Sequence, residues 1–161
     1  MIENLNESEI LRYLGYPEGR QADALTLEAV RRCSGNILHS ARPKWIEQEF
    51  QLAWAESCVR IADSNITLEG TAIYNHLSGC ETCVVMAATL GIEADRAIRQ
   101  AQVSAMSEAV VIDACATAYI EAVCDEAEKE INHKYGLCNF RFSPGYGDLP
   151  ISLQKDLLSL L

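Results

Sequence analysis

The chain has 161 residues, of which 49% are hydrophobic and 22% charged, so we expect residues 1–161 to form a single globular domain with its own core. Thirteen Lys and Arg residues against twenty-three Asp and Glu residues give a net charge of −10, which argues against nucleic acid or an anionic membrane surface as a partner. No apolar stretch approaches the roughly 20 residues that span a bilayer, and the acidic start of the chain is unlike a signal peptide. With seven cysteines and no sign of export, a reduced cytoplasmic setting is expected.

The first part of the chain predicts two helices followed by two strands. Residues 7–13 are typical of a short helix with Asn6 as its N-cap. Apolar residues recur near helical spacing over residues 22–38, which predicts a longer helix before Pro43. Mixed apolar and polar runs over residues 44–62 predict two strands.

The second part of the chain alternates between helix, strand and helix. Residues 71–77 predict a short helix, and residues 81–89 a buried strand of small and β-branched residues. Residues 92–131 predict one or two Ala-rich helices with an interruption around 103–107, and after a loop a terminal helix is expected over residues 151–161. The pattern indicates an α+β fold in which long helices pack on an antiparallel sheet.

Two cysteines have a spacing that can serve a metal or a redox dithiol. Cys80 and Cys83 form a C-x-x-C pair, and His76 precedes it by four residues. A zinc site normally has a second pair of ligands in a comparable motif, and the sequence offers none. Packing as small, buried side chains is therefore favoured over ligation.

A polar stripe follows the long helix predicted after the interruption. Asp113, Thr117 and Glu121 fall at i, i+4 and i+8, hence on one face, and Asp125 and Glu128 nearly continue it. The stripe is either a solvated acidic face or one wall of a cleft, where carboxylates hold a cationic ammonium or sulfonium or accept ribose hydroxyl bonds. The apolar side is expected in the core, with Met106, Val110, Ile120, Cys124 and Ile131.

The most specific segment of the chain covers residues 141–150. Pro144 fixes φ and Gly145 permits a positive φ, which predicts a type II turn. Arg141 and Tyr146 flank this turn, and they offer a guanidinium for a carboxylate and an aromatic face for an adenine or a cation. From these residues alone, a binding turn and an ordinary Pro-Gly turn beside a surface arginine are equally supported.

The same segment resembles a known motif. Arg-x-Ser-Pro-Gly-Tyr at residues 141–146, followed by Gly-Asp-Leu-Pro, is similar to the S-adenosylmethionine-binding motif of the reactivation domain of cobalamin-dependent methionine synthase, Arg-Pro-Ala-Pro-Gly-Tyr. Residues 79–91 and 113–122 resemble small stand-alone versions of that domain, and the resemblance runs from about residue 77 to 161. It implies that family's α+β fold, and a short or C-terminally truncated form of it, since the family continues beyond the motif with more strand and a second tyrosine.

The resemblance also implies the roles of individual residues. Arg141 would pair with the methionine carboxylate, and the backbone at Ser143 and at Gly145-Tyr146, shaped by Pro144, would contact the adenine. Tyr146 would add a stacking or hydroxyl contact. An acidic helix residue of the longer family members falls at Thr117, so Glu121 one turn later is its substitute.

By resemblance, the domain supports reductive reactivation of a partner's cobalamin. Cob(II)alamin in methionine synthase, or in a related corrinoid protein, is reduced by one electron from a flavodoxin-like reductant, and the sulfonium methyl traps the cob(I) form. The chain would be the methyl-presenting component of a methyltransferase, with no catalytic side chain and no metal ligand of its own. The alternatives are a non-catalytic interaction protein and an activator that docks on another corrinoid methyltransferase.

Overall fold

The chain forms six helices, one short 3-10 turn and four strands in a computed structural model that describes residues 2–17 and 19–161. The elements in chain order are α1 (Glu7–Tyr13), α2 (Ala24–Ser40), β1 (Lys44–Trp54), β2 (Cys58–Ile61), β3 (Thr67–Glu69), α3 (Thr71–Leu77), β4 (Thr82–Thr89), α4 (Ile92–Ser104), α5 (Met106–Tyr135), the 3-10 turn (Ile151–Leu153) and α6 (Gln154–Leu158). The predicted α+β class is confirmed.

The four strands form one antiparallel sheet in the order β3-β2-β1-β4. Ala53 of β1 faces Arg60 of β2, and Val59 of β2 faces Leu68 of β3. The Leu52 N–H of β1 donates to the Glu81 carbonyl, just before β4, at 2.8 Å. Two strands over residues 44–62 and a strand over 81–89 are therefore confirmed. The prediction that the last of these is buried was wrong, because the residues of β4 are half-buried or exposed. The three-residue β3 was not predicted.

Local capping explains where the first helices begin. The Asn6 side chain accepts a hydrogen bond from the Ser8 N–H at 3.0 Å, which confirms Asn6 as the N-cap of α1. Asp23 does the same for α2 through the Thr26 N–H at 2.9 Å, so α2 begins at Ala24 rather than at the predicted residue 22.

The later helices agree with most of the prediction, but the terminal helix is shorter than predicted. The predicted interruption lies at Ala105, whose extended φ of −158° separates α4 from α5. The short helix over residues 71–77 is confirmed as α3. The terminal helix is shorter than predicted, because the 3-10 turn takes its first residues and α6 ends at Leu158.

The chain divides into two compact units. The first consists of Met1–Trp45 and Ala88–Ala127, and the second of Ile46–Ala87 and Glu128–Leu161. The core of the first unit is lined by Ile10, Val30, Cys33, Ile37, Cys115, Tyr119 and Val123, and that of the second by Val59, Ile61, Leu68, Ile73, Leu77 and Leu149. That residues 1–161 form a single domain stays a prediction.

The buried side of α5 differs from the predicted one. Met106 and Val110 are 64% and 53% exposed, so their assignment to the core was wrong, whereas Ile131 is buried as predicted. The helix buries mostly small side chains instead, at Ala109, Ala114, Cys115, Ala116, Ala118 and Ala127. Small residues let neighbouring helices approach closely, but they mark a buried helix face less clearly in a sequence than large apolar residues do.

Within residues 2–17 and 19–161, none of the helices has the length and apolar character that crossing a membrane requires.

Candidate functional site

The segment that follows α5 is anchored on the amino-terminal end of α3 by Asp148. The Thr71 and Ala72 N–H groups donate to the Asp148 carboxylate at 2.6 and 3.0 Å. Gly70 occupies the N-cap position of α3 and supplies no side chain, and a Cβ built on it would lie 2.5 Å from Asp148 Oδ1. Asp148 therefore caps α3 from 77 residues away, and hydrogen bonds from Ala72 and Thr71 lower the pKa of its carboxyl group.

The carboxy-terminal end of α3 holds the same segment through aromatic contacts. The His76 ring lies 4.6 Å from the ring of Phe140 and 5.1 Å from that of Phe142, measured between centroids. The Asn139 side-chain amide donates to the His76 carbonyl at 2.8 Å. Both ends of α3 thus contact the segment, which fixes the backbone on either side of Arg141.

The Pro-Gly turn has the predicted geometry. The Tyr146 N–H donates to the Ser143 carbonyl at 3.1 Å across Pro144, and Gly145 has a φ of +97°, as a type II turn requires. The Gly145 N–H donates to the carbonyl of Leu149 at 2.9 Å. Leu149 is only 3% exposed and packs in the core of the second unit, so the turn is fastened to that core.

The turn offers a ligand its acceptors and an aromatic ring. The N–H groups of Gly145 and Tyr146 are engaged inside the turn. A carbonyl oxygen has two lone pairs, so Ser143 can still accept a bond from an exocyclic amine such as that of adenine. The Tyr146 ring is 62% exposed and meets the ring of Phe142 edge-on at 6.3 Å. The geometry thus suits a base that stacks on the Tyr146 ring and donates a hydrogen bond to the Ser143 carbonyl.

Arg141 lies against a carboxylate of the protein itself. Its Nη1 donates to Glu128 Oε2 at 2.7 Å, and both side chains are 29% exposed. Glu128 projects from α5, and Arg141 precedes the turn by two residues. This charge-assisted contact shows that the guanidinium is already placed to hold an acid group at this point of the fold.

Glu121 lies in the other compact unit. It lines a surface depression of about 260 Å³ together with residues of α1 and its cap, among them Asn6, Arg12 and Tyr13. Thr117, one turn earlier on α5, uses its hydroxyl to bond the Asp113 carbonyl at 2.9 Å. Participation of Glu121 in a ligand site with Arg141, Ser143, Pro144, Gly145 and Tyr146 stays a prediction.

The cysteine pair is partly buried in the second unit. Cys83 packs against that unit's core, and burial raises the pKa of its thiol to about 11, so the thiol is protonated at neutral pH. The Asn139 amide lies 3.7 Å from Cys80 Sγ. No group of three or more His, Cys, Asp or Glu side chains in residues 2–17 and 19–161 is arranged to hold a metal ion.

Sequence reasoning missed the residues that position the turn. Asp148 belongs to the Gly-Asp-Leu-Pro motif, but no role was predicted for its side chain. His76 was predicted only as a possible neighbour of Cys80 and Cys83. A signal for the first was present: α3 begins after a glycine, which cannot cap it through a side chain, so a remote acceptor was to be expected. The His76 contacts with Phe140 and Phe142 had no comparable signal.

Comparison with known proteins places the fold. No protein-family model and no curated protein sequence matches the chain. In structure it is similar to the MetH reactivation domain, solved by crystallography bound to AdoHcy, with a TM-score of 0.73 and 14% sequence identity. The match covers 98% of this chain and 65% of that one, so the chain spans less than two thirds of the length of its structural neighbour. The chain therefore has the fold of the MetH reactivation domain, as the resemblance of its motif implied.

Proposed function

We propose that the chain binds S-adenosylmethionine at residues 141–146 and presents its methyl group to the reduced cobalamin of a partner protein. The observation that carries the proposal is the likeness, over 98% of the chain, to a reactivation domain crystallised with AdoHcy. The proposed partner is a cobalamin-dependent methionine synthase or a related corrinoid protein, working with a flavodoxin-like reductant in a reduced cytoplasmic setting.

The residues of the turn suit the parts of this ligand. The planar guanidinium of Arg141 matches a carboxylate in bidentate geometry, which supports its assignment to the methionine end. The exposed ring of Tyr146 offers a stacking face, and the carbonyl of Ser143 an acceptor, for the adenine. S-adenosylmethionine would supply the methyl group, so the task of this chain is to bind and orient it.

The direct test is calorimetric titration of the full chain with S-adenosylmethionine. We expect binding that Arg141→Ala weakens about tenfold to a hundredfold, because a hydrogen bond to a charged group contributes about 1.5–3 kcal/mol. Arg141→Lys keeps the charge but loses the planar guanidinium, so its affinity should lie between those of the wild type and Arg141→Ala. Arg60→Ala removes an exposed arginine of β2 and serves as the control. No binding by the wild type, or equal binding by Arg141→Ala, would contradict the site.

A second candidate is docking on a corrinoid protein without use of the nucleoside. The contact between Arg141 and Glu128 favours this second candidate, because the guanidinium already has a carboxylate partner within the protein. The two candidates differ in one measurable quantity, the affinity for a cobalamin-bound partner with and without S-adenosylmethionine. Affinity that ignores the nucleoside supports the second candidate, and affinity that depends on it supports the first. A panel of corrinoid methyltransferases in the same assay would identify the partner.

A further inference from the structure

The strand β4 lies at one edge of the sheet. In the order β3-β2-β1-β4 it has β1 on one side, and no strand within residues 2–17 and 19–161 pairs with it on the other side. None of the turn and loop hydrogen bonds in that part of the chain involves the backbone of Thr82–Thr89 either. An edge strand of this kind presents unpaired N–H and C=O groups, which can bond to another strand.

The two edges of the sheet differ in how they are protected against pairing. The β3 edge is three residues long and ends on the exposed Glu69, and both shortness and charge disfavour the addition of a strand. β4 is eight residues long and has neither a charged residue nor a proline. Strands β1 and β2, in the interior of the sheet, carry charges such as Glu49 and Arg60. The strand without charge therefore lies where charge would protect most.

The side chains of β4 also lack a polar face. Cys83 and Val85 pack against the core of the second unit, whereas Val84 and Met86 alternate with them and point to the opposite side of the sheet. No residue of β4 is fully buried. Apolar residues on both faces are typical of strands that lie inside a sheet. β4 therefore has the composition of an interior strand and the position of an edge strand.

We propose, independently of the ligand site, that β4 is a self-association site at which two copies of this chain pair their β4 strands antiparallel about a two-fold axis. The pairing joins two four-stranded sheets into one of eight strands. Both uncharged edges become paired, and the short, charged β3 edges remain at the two ends of the joined sheet. Because such an interface is closed by its two-fold symmetry, association stops at the dimer.

The charge of the chain favours a second copy over a charged peptide at this edge. The net charge of −10 makes two copies repel one another over most of their surface. β4 is uncharged along its whole length, so no register places like charges opposite each other within the paired strands. A basic peptide would find no ionic partner on β4 for the same reason. The pairing therefore depends on backbone hydrogen bonds and apolar contacts.

Sedimentation velocity of the full chain over a range of concentrations tests for the dimer. We expect a monomer–dimer equilibrium without larger species. Raising the ionic strength from about 0.01 M to about 0.15 M shortens the Debye length from about 30 Å to about 8 Å, which screens the repulsion between the copies and should strengthen the dimer. A monomer at every concentration would overturn the proposal. A dimer that salt weakens would also overturn it, since charged contacts would then hold the copies together.

Hydrogen exchange and one substitution locate the interface. Amides of β4 should exchange more slowly in the dimer than in the monomer, while those of β3 should exchange equally in both. Val84→Lys places a charge on β4 and should raise the dissociation constant of the dimer about tenfold or more. The matched control is Val103→Lys, which makes the same change at a valine of α4 that is 92% exposed, and it should leave the dissociation constant unchanged.

The exchange pattern of the wild type decides by itself if circular dichroism shows that Val84→Lys does not fold. Slower exchange confined to another surface, such as that of the exposed Val103 and Met106, would overturn the proposal, because the dimer would then form elsewhere. A folded Val84→Lys variant with the wild-type dissociation constant would overturn it too. The same holds if Val84→Lys and Val103→Lys weaken the dimer equally, since net charge rather than strand pairing would then be responsible.

Discussion

Gly147 lies where the segment after the Pro-Gly turn meets the first turn of α3, and its replacement by alanine should push the two apart. Gly147 has a φ of +55°, and a Cβ built there would lie 2.7 Å from the Cβ of Ala72, closer than real Cβ atoms come. The Ala72 Cβ is fixed to the helix backbone and cannot rotate away. The backbone on one side therefore has to move, which strains the hydrogen bonds between α3 and Asp148.

The cost of Gly147→Ala has two parts. A left-handed backbone costs a residue with a Cβ about 1–2 kcal/mol, and overpacking a well-packed site costs about 1–3 kcal/mol. The free energy of unfolding should thus fall by about 2–5 kcal/mol. Gly136 has a φ of +95° and no heavy atom within 4 Å of a built Cβ, so Gly136→Ala carries the backbone part alone, about 1–2 kcal/mol. The loss of unfolded-state freedom is common to both variants and cancels.

Urea denaturation of four variants isolates the clash between a Cβ at residue 147 and the Cβ of Ala72. The variants are Gly147→Ala, Gly136→Ala, Ala72→Gly and the double variant Gly147→Ala with Ala72→Gly. Ala72→Gly alone should cost about 1 kcal/mol in helix propensity. Ala72→Gly removes the Cβ atom with which the new side chain of Gly147→Ala would clash. The double variant should therefore lose about 1–3 kcal/mol less free energy of unfolding than the two single variants lose together. Additive losses, or a loss in Gly136→Ala as large as in Gly147→Ala, would refute the reasoning.

Two further predictions concern titratable groups of the second unit. The hydrogen bonds to Asp148 lower its pKa below the ordinary 3.8, so its stabilising effect is present above 3.8 and is lost as pH falls through the lower folded value. Asp148→Asn should therefore melt below the wild type at pH 7, and the difference should shrink below pH 4; a difference that stays constant down to pH 2 would contradict this. Burial raises the pKa of Cys83 to about 11, whereas Cys138 is exposed, so iodoacetamide at pH 8 should modify Cys138 first, as read by peptide mass spectrometry. Faster modification of Cys83 would show that its thiol is not buried as described.

The order of helices and strands was largely predictable because its signals are local. A capping side chain at Asn6 and the weak pattern around Ala105 each depend on a few neighbouring residues. The register and burial of α5 were not predictable in the same way. Its pattern suggested Met106 and Val110 as core, yet the neighbouring helices approach a face of alanines and leave these larger side chains in solvent. Which apolar face of a helix is buried depends on partners that are distant in sequence.

The same distinction holds for the candidate site and has a chemical consequence. Pro144 and Gly145 specify their turn locally, so the turn was found, whereas the groups that hold and balance it come from elsewhere in the chain. The sequence presented Arg141 as a single cation, for which any anion is a partner. The fold adds the Glu128 carboxylate at 2.7 Å, so the guanidinium already contacts an acid group of the protein. A ligand carboxylate that binds Arg141 therefore has to share the guanidinium with Glu128 or displace Glu128 from it, and this competition could not be predicted from the sequence because the two residues lie 13 positions apart on different elements.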